Sequence, residues 1–296
     1  MKIAIMGASG FVGTNLTKYL LTKTDYYVLA LCPNPEAMAE YMKFGDRFTV
    51  KKSDVFDSDS VALSLSGVDV AFYLVHMMNG KSANFYDAEA KAARSFGEAS
   101  KRAGVSRVIY MSGLGKDTDD LSPHLASRHN TGDILRKIAP LVIEFRAGMI
   151  IGHGSISFEI VKNLVKNLPI ITLPKWSKTL TQPIGLSDAL LYLSAGIEIP
   201  STKHEIVEIG GPEKMSYKEF LSKYAKFLRK KCILIRVPVL PERLAGWWLD
   251  LFTPKGTARV GRHMVASFRN EMVVTNNRAE ELFPKIKPLP IKNFFL

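Results

Sequence analysis

The sequence predicts an α/β protein, a doubly wound parallel sheet with a small C-terminal lobe. Over the first 150 residues, short apolar runs rich in β-branched residues alternate with segments of helical spacing. A glycine-rich turn joins the first run to the first helical segment, and after Arg146 the rhythm loosens into shorter pieces. Runs such as residues 105–111 are too apolar for a half-exposed sheet, which points to strands covered by helices on both faces.

In order, the apolar runs at 3–6, 27–31, 48–50, 68–74, 105–111 and 141–145 read as strands. Helical spacing fills the intervals at 12–21, 35–41, 60–65, 85–103 and 123–138. Beyond them, a turn with Gly148, Gly152 and Gly154 leads to an amphipathic helix over 157–167, ending at Pro169. Ser187 and Asp188 offer a cap for a helix running to Ala195. Residues 204–209 read as a strand closed by Gly210-Gly211-Pro212. Ser216-Tyr-Lys-Glu219 is a capping box opening a helix to about Leu228, and 232–237 is a further short strand. Residues 1–150 thus form the core, and 151–296 an interleaved lobe of the same unit.

Composition narrows the class. The 296 residues are 47% hydrophobic and 23% charged, the proportions of an ordinary globular protein. No run approaches the apolar length of a spanning helix, and the opening segment lacks the form of a cleavable signal. Cys32 and Cys232 are too few for a disulfide framework or a cysteine-based zinc site, so a cytoplasmic setting is expected. Net charge is +12 and unevenly placed: residues 201–296 hold 18 basic and 9 acidic residues. A basic C-terminal third can meet an anionic membrane surface or a phosphorylated ligand, or simply be solvated. Nucleic acid is not expected, because no recognition motif or interleaving of exposed aromatics with basic residues is present. Trp247 and Trp248, within the apolar stretch 238–252, read as lobe packing, an interfacial helix or the wall of a greasy pocket.

Gly7-Ala-Ser-Gly10-Phe-Val-Gly13 follows the first strand and precedes the first helix, and that placement gives the pattern its weight. The first glycine permits the tight turn, the second lets backbone approach a pyrophosphate, and the third lets helix pack on strand. A P-loop is excluded, since no Gly-Lys-Ser/Thr ends the loop.

This turn resembles that of the extended short-chain dehydrogenase/reductase superfamily, in its atypical, NmrA-like branch, and so implies a Rossmann core that binds NAD(P). The resemblance extends to Asp54, to Tyr73-Leu-Val-His76, to Met111-Ser-Gly113 and to the later segments 182–188 and 208–213. More narrowly, segments 124–128, 146–148, 158–159 and 167–170 resemble bacterial NAD(P)-binding proteins without a firmly assigned substrate. It implies a cofactor site built from Gly7, Ala8, Ser9, Gly10, Phe11, Val12 and Gly13 around the pyrophosphate. Asp54 and Val55 would lie at the adenine, and Leu74, Val75 and His76 along the ribose. Ala147 and Gly148 would approach the nicotinamide. Neither an acidic residue nor an arginine ends the second strand, where Leu31-Cys-Pro-Asn34 stands. Asn34 could reach a ribose, and Lys51 or Lys52 a phosphate. With no carboxylate there to repel a 2′-phosphate, NADP is favoured over NAD.

The superfamily's hydride-transfer members use a serine, a tyrosine and a lysine four residues later. Ser112 stands at the expected strand end, but no Tyr-x-x-x-Lys follows it. At that distance stand His124 and Arg128, one helical turn apart, and Ser95 takes the place of a supporting asparagine. His124 could donate a proton. Arg128 could hold a ribose, polarise a carbonyl or pair with an anionic substrate, or could merely be solvated. His129 and His153 read as structural or solvated, and Asp117, Asp119 and Asp120 as a solvated turn. His124 and His129 are five apart, so no metal is expected.

Two functions follow. The first is an NAD(P)H-dependent oxidoreductase acting on a carbonyl, enone or quinone-like small molecule, with Ser112, His124 and Arg128 as its catalytic set. The second is a non-catalytic NAD(P)-binding redox sensor, regulator or assembly factor that works through a protein partner.

Overall fold

The computed structural model describes residues 1–77, 85–236 and 266–295; the expected Trp247–Trp248 segment lies outside them. Its centre is a seven-stranded sheet. The strands are β1 (Lys2–Met6), β2 (Tyr27–Cys32), β3 (Phe48–Lys52), β4 (Val70–Tyr73), β5 (Arg107–Gly113), β6 (Val142–Ala147) and β11 (Glu205–Ile209). Their order is β11-β6-β5-β4-β1-β2-β3 and every pairing is parallel. The order reverses at β1, which lies between β2 and β4. That reversal opens a crevice at the carboxyl ends of the strands.

Both faces of the sheet are apolar, with a period of two. Ile3, Ile5, Val70, Phe72 and Ile109 join one core. It is closed by Leu16 and Leu20 of α1 (Phe11–Lys23) and by Ala189 and Leu193 of α6 (Leu186–Ala195). Ala4, Met6, Ala71, Tyr73, Val108 and Tyr110 point the other way. They meet Val61 of α2 (Ser58–Ser64), Ala92, Ala93 and Phe96 of α3 (Phe85–Arg102), and Leu135 of α4 (Pro123–Ile138). This two-sided burial is why the strands read as nearly continuous apolar runs.

A third core belongs to the lobe. It joins α5 (Ile156–Asn167), α7 (Tyr217–Phe227) and the two-stranded pair of β8 (Ile170–Leu173) with β13 (Ile233–Arg236). Phe295 plugs its centre, 5.1 Å from the Tyr224 ring, 5.8 Å from Phe220 and 6.2 Å from Phe158. The capping box at Ser216 and Glu219 is present in full.

Two local expectations are corrected. Residues 35–41 lie within a longer 3₁₀ segment, Pro35–Arg47, interrupted at Gly45. Ser187 and Asp188 do not cap α6, whose N-cap is Gly185 with no side-chain cap. Asp188 instead sits buried in the first turn, its Oδ2 accepting from the Leu289 amide at 2.8 Å and tying the C-terminal strap to the sheet.

Because Phe295 fills the lobe's core, Phe295→Ala is expected to cost about 3 to 4 kcal/mol. Hydrogen exchange should show α5 and α7 losing protection while β1, β4 and β5 keep theirs.

Candidate functional site

A cavity of about 770 Å³ lies along the carboxyl ends of β1, β4, β5 and β6, at the reversal in strand order. Its walls are mostly apolar. One end is made by the glycine turn. Gly7 has φ +89°, and a Cβ there would lie 2.9 Å from the Leu74 carbonyl, so only glycine lets β1 turn this close to β4. A Cβ on Gly13 would collide with the Gly7 carbonyl oxygen; its absence seats α1 directly on the turn. The N-terminus of α1 has no side-chain cap, and Gly10, Phe11, Val12 and Gly13 line the cavity beside it. Uncapped amides at the positive end of a helix are built to meet an anion. This end therefore fits the pyrophosphate of a dinucleotide.

Most residues expected at the cofactor line this cavity: Gly7, Ser9, Gly10, Phe11, Val12, Gly13, Asp54, Val55, Leu74, Val75, His76, Ala147 and Gly148. Two do not. Ala8 is fully buried beneath the turn, its carbonyl accepting from the Thr14 hydroxyl. Asn34 is exposed, and its Oδ1 accepts from the Glu36 amide at 3.2 Å, which caps the 3₁₀ segment. Pro33 lines the cavity in its place, and Lys51 and Lys52 stand outside the lining.

Ser112, His124 and Arg128 also line the cavity. Ser112 is buried, and its hydroxyl has no hydrogen-bond partner among the described residues. Arg128 is not solvated. Its guanidinium donates to the carbonyls of Val75, at 3.0 Å, and Met111, and lies 4.8 Å from the Tyr110 ring centroid. These contacts clamp the exits of β4 and β5. The charge is balanced by Glu89, 3.8 Å away. Two of its five donors are thus spent on backbone, and its charge is met internally by Glu89.

Glu89 is the residue the motif reading missed. It sits on α3, almost fully buried, and organises the cavity floor. Its Oε1 is 2.6 Å from His76 Nδ1 and accepts from the Met77 amide at 3.1 Å, while Oε2 accepts from the Ser127 hydroxyl at 2.5 Å. His76 Nε2 is 3.1 Å from His124 Nε2, and His124 Nδ1 is 3.0 Å from the hydroxyl of Ser267, itself 2.9 Å from that of Ser122. An ionised carboxylate only accepts, so His76 donates from Nδ1. In neutral His76, Nε2 is then the acceptor and His124 Nε2 the donor, leaving His124 Nδ1 to accept from Ser267. Five side chains thereby form one directed hydrogen-bond chain at the cavity wall that ends on Glu89, to which Ser127 donates from the other side.

The electrostatics agree. Burial alone would raise the Glu89 pKa, but the His76 hydrogen bond, the Arg128 charge and Ser127 outweigh it and bring it to about 2. Desolvation lowers the His76 pKa, outweighing the upward pull of Glu89, although part of the ring faces the cavity. Among the described residues, no three His, Cys, Asp or Glu cluster as metal ligands.

The remaining polar residues do other work. Ser95 does not support the proposed acid; its hydroxyl donates to the Val55 carbonyl at 2.6 Å, holding the loop after β3. Asp117 is an exposed turn residue, as expected, but it also has partners. It receives Arg146 Nη1 at 3.0 Å and lies 2.6 Å from His129 Nδ1, while His129 Nε2 contacts the Gly113 carbonyl at 2.9 Å. Arg146 also pairs with the fully buried Glu144, which Arg136 contacts from α4. This network fixes the ends of β5 and β6 behind Ser112.

Residues 7–139 match an NAD(P)H-binding family. Among curated proteins, the chain is 22% identical over 213 residues to subunit 9 of the NADH dehydrogenase [ubiquinone] 1 alpha subcomplex of Mus musculus mitochondria. That match covers 71% of this chain and 56% of the relative, so the chain spans little more than half the relative's length. Among solved structures, a Citrobacter triphenylmethane reductase superposes with TM-score 0.78 at 15% identity, over 100% of this chain and 98% of that one. An NADPH-dependent quinone oxidoreductase of Escherichia coli superposes with TM-score 0.76 at 16% identity, over 99% and 98%. At such identities the likeness is one of fold.

If the carboxylate of Glu89 holds the floor together, Glu89→Gln leaves Arg128 without its counter-charge and should cost about 3 kcal/mol in urea unfolding at neutral pH. The folded-state pKa of Glu89, about 2, lies below its ordinary value of 4.5. Its stabilisation is therefore complete above about pH 4.5 and is lost as pH falls toward 2. The variant should show a correspondingly shallower loss of stability over that acid window. The glycine turn and the cavity it opens on agree with the match of residues 7–139 to an NAD(P)H-binding family, and together they point to a domain that binds NAD(P)H.

Proposed function

We propose that this protein is an NAD(P)H-dependent reductase of an uncharged, largely apolar carbonyl, enone or quinone-like compound. The observation that carries this reading is the continuity of the cavity. It runs from the glycine turn past Ser112 and His124 to walls made by Leu125, Met149, Ile156, Phe268 and Met272. Beyond Ser112 the lining, among the described residues, has serines and His124 but no carboxylate or lysine, and its guanidinium, Arg128, is neutralised by Glu89. An anionic substrate such as a nucleotide sugar would find no counter-charge, whereas a flat apolar molecule with an acceptor oxygen would be well matched. The quinone and dye reductases among the similar folds are consistent with such a substrate.

When bound, NAD(P)H supplies hydride; this chain's residues supply orientation and a proton. Ser112 lines the cavity at the end of β5, and its buried hydroxyl, once turned toward the cavity, would donate to the substrate oxygen. A proton taken up from solvent by the hydrogen-bonded His124–His76 pair and given from His124 to the substrate oxygen would balance the hydride and return the pair to neutral, yielding an alcohol from a carbonyl or a hydroquinone from a quinone. Glu89 holds His76 in the donating tautomer at Nδ1 and stabilises it once it gains a proton. In this reading His124 stands where tyrosine is usual, and Arg128 is a positioning residue.

The second reading, a redox sensor or assembly factor, is favoured by the absence of a Tyr-x-x-x-Lys pair and by the NADH dehydrogenase subunit among the relatives. The two part on a single assay. With purified protein, NADPH oxidation should be stimulated by small quinones or enals. His124→Ala should lower turnover by about 10² to 10³-fold while NADPH affinity, read by calorimetry, stays within a few-fold. Ser112→Ala should lower it by about 10²-fold. Gly13→Val should abolish NADPH binding itself. Tight NADPH binding without turnover across the panel would support the sensor instead.

A further inference from the structure

Two stretches of the chain, 160–187 and 220–241, hold ten lysines and arginines and no aspartate or glutamate. The fold makes them neighbours. β8 and β13 pair in parallel, with Ile233 opposite Ile170 and Ile235 opposite Thr172, and α5 packs on α7. Alternation turns Ile171 and Leu173 into the lobe's core and leaves Ile170, Ile233 and Ile235 outside, at 48%, 60% and 45% exposure. Phe227, at the end of α7, is exposed beside them. Lys166, Lys226, Arg229 and Lys231 surround this face and are exposed. Lys162 and Lys223 are paired with Glu159 and Glu213, but no carboxylate among the described residues pairs with those four.

We propose that this face docks on the surface of an anionic lipid bilayer. Unpaired cations around exposed aliphatic side chains are complementary to a headgroup layer over an acyl boundary: the cations meet phosphates and the isoleucines leave water. A single-stranded nucleic acid would call for several exposed rings on which bases stack, and this face offers one, Phe227, beside three isoleucines. No helix among the described residues is long and apolar enough to cross a membrane, so the contact is peripheral. The face lies at the C-terminal end of α5, whose first residue, Ile156, lines the cavity; the ten intervening steps of helix set the two about 15 Å apart. Docking would therefore bring the apolar end of the cavity near a reservoir of apolar molecules. The surface itself does not depend on the reductase reading.

The test is flotation of the full chain with vesicles of pure phosphatidylcholine and of phosphatidylcholine mixed with phosphatidylglycerol. Binding is expected only to the anionic vesicles and is expected to fall as salt is raised. At about fivefold per cation removed, the double variant K226Q/K231Q should lose roughly 25-fold in vesicle affinity. I233S/I235S should weaken binding while leaving its salt dependence intact. NADPH binding by both variants, unchanged from the parent, shows that they are folded and that the cofactor site is not what has failed. The proposal is overturned by equal binding to neutral vesicles, by no binding to anionic ones, or by variants that bind as the parent does. Tighter binding to single-stranded RNA than to anionic vesicles overturns it too.

Discussion

The floor of the cavity depends on one buried ion pair. Arg128 reaches from α4 to the last carbonyls of β4 and β5, and Glu89 reaches from α3 to balance it. A guanidinium placed against an apolar sheet would be costly alone, and so would a carboxylate. Together, with Tyr110 under the one and Ser127 and the Met77 amide on the other, they become a rigid bracket between two helices and two strand ends. His76 takes its orientation from that bracket and passes it to His124, so the geometry at the cavity wall is inherited from charges that substrate need never touch.

The glycine turn supplies the other half of the site by subtraction. Where Arg128 and Glu89 hold groups in place, Gly7 and Gly13 remove Cβ atoms so that α1 and β4 close on the turn. The doubly wound topology then decides where the two devices meet. With β1 between β2 and β4, the crevice opens over the end of β1, and β5 brings Ser112 alongside. The glycine turn at one end of the cavity and the Ser112–His124 wall at the other thus follow from a single reversal in strand order.

Much of this was legible in the sequence because it rests on local signals. Period-two burial on both sheet faces makes strands nearly all apolar, and a glycine turn between strand and helix is a contiguous motif. Glu89 was not legible in that way, because its partners are 12 to 39 residues distant and no motif links them. A signal did exist: Glu89, Ala92, Ala93 and Phe96 follow the i, i+3, i+4, i+7 spacing, so a carboxylate sits in the apolar stripe of α3. A charge in a buried stripe must have a partner, and Arg128 was the available cation. Glu144 and Arg146 carry the same message on β6, where alternation places them on one face of a strand buried throughout. Asn34 misled for the opposite reason. Its position fits a ribose contact, but an Asn before Pro-Glu is also a strong cap, and the local hydrogen bond wins.

The distribution of charge also separates the two ends of the molecule by function. Around the cavity every buried charge is matched: Arg128 by Glu89, and Arg146 by Glu144 and Asp117. Such a site presents dipoles and hydroxyls at its Ser112 end and helix amides, suited to an anion, at the glycine turn. On the lobe the pattern is reversed, since Lys166, Lys226, Arg229 and Lys231 stand without a carboxylate partner among the described residues, next to aliphatic side chains that folding left in water. Unmatched charge is inexpensive at a surface and costly in a core, so its placement carries no penalty for folding and is available for an external partner. On the two readings proposed above, one chain would combine a cavity whose far end takes a neutral molecule with an outward face open to anions, a combination suited to apolar molecules held in, or delivered from, an anionic bilayer.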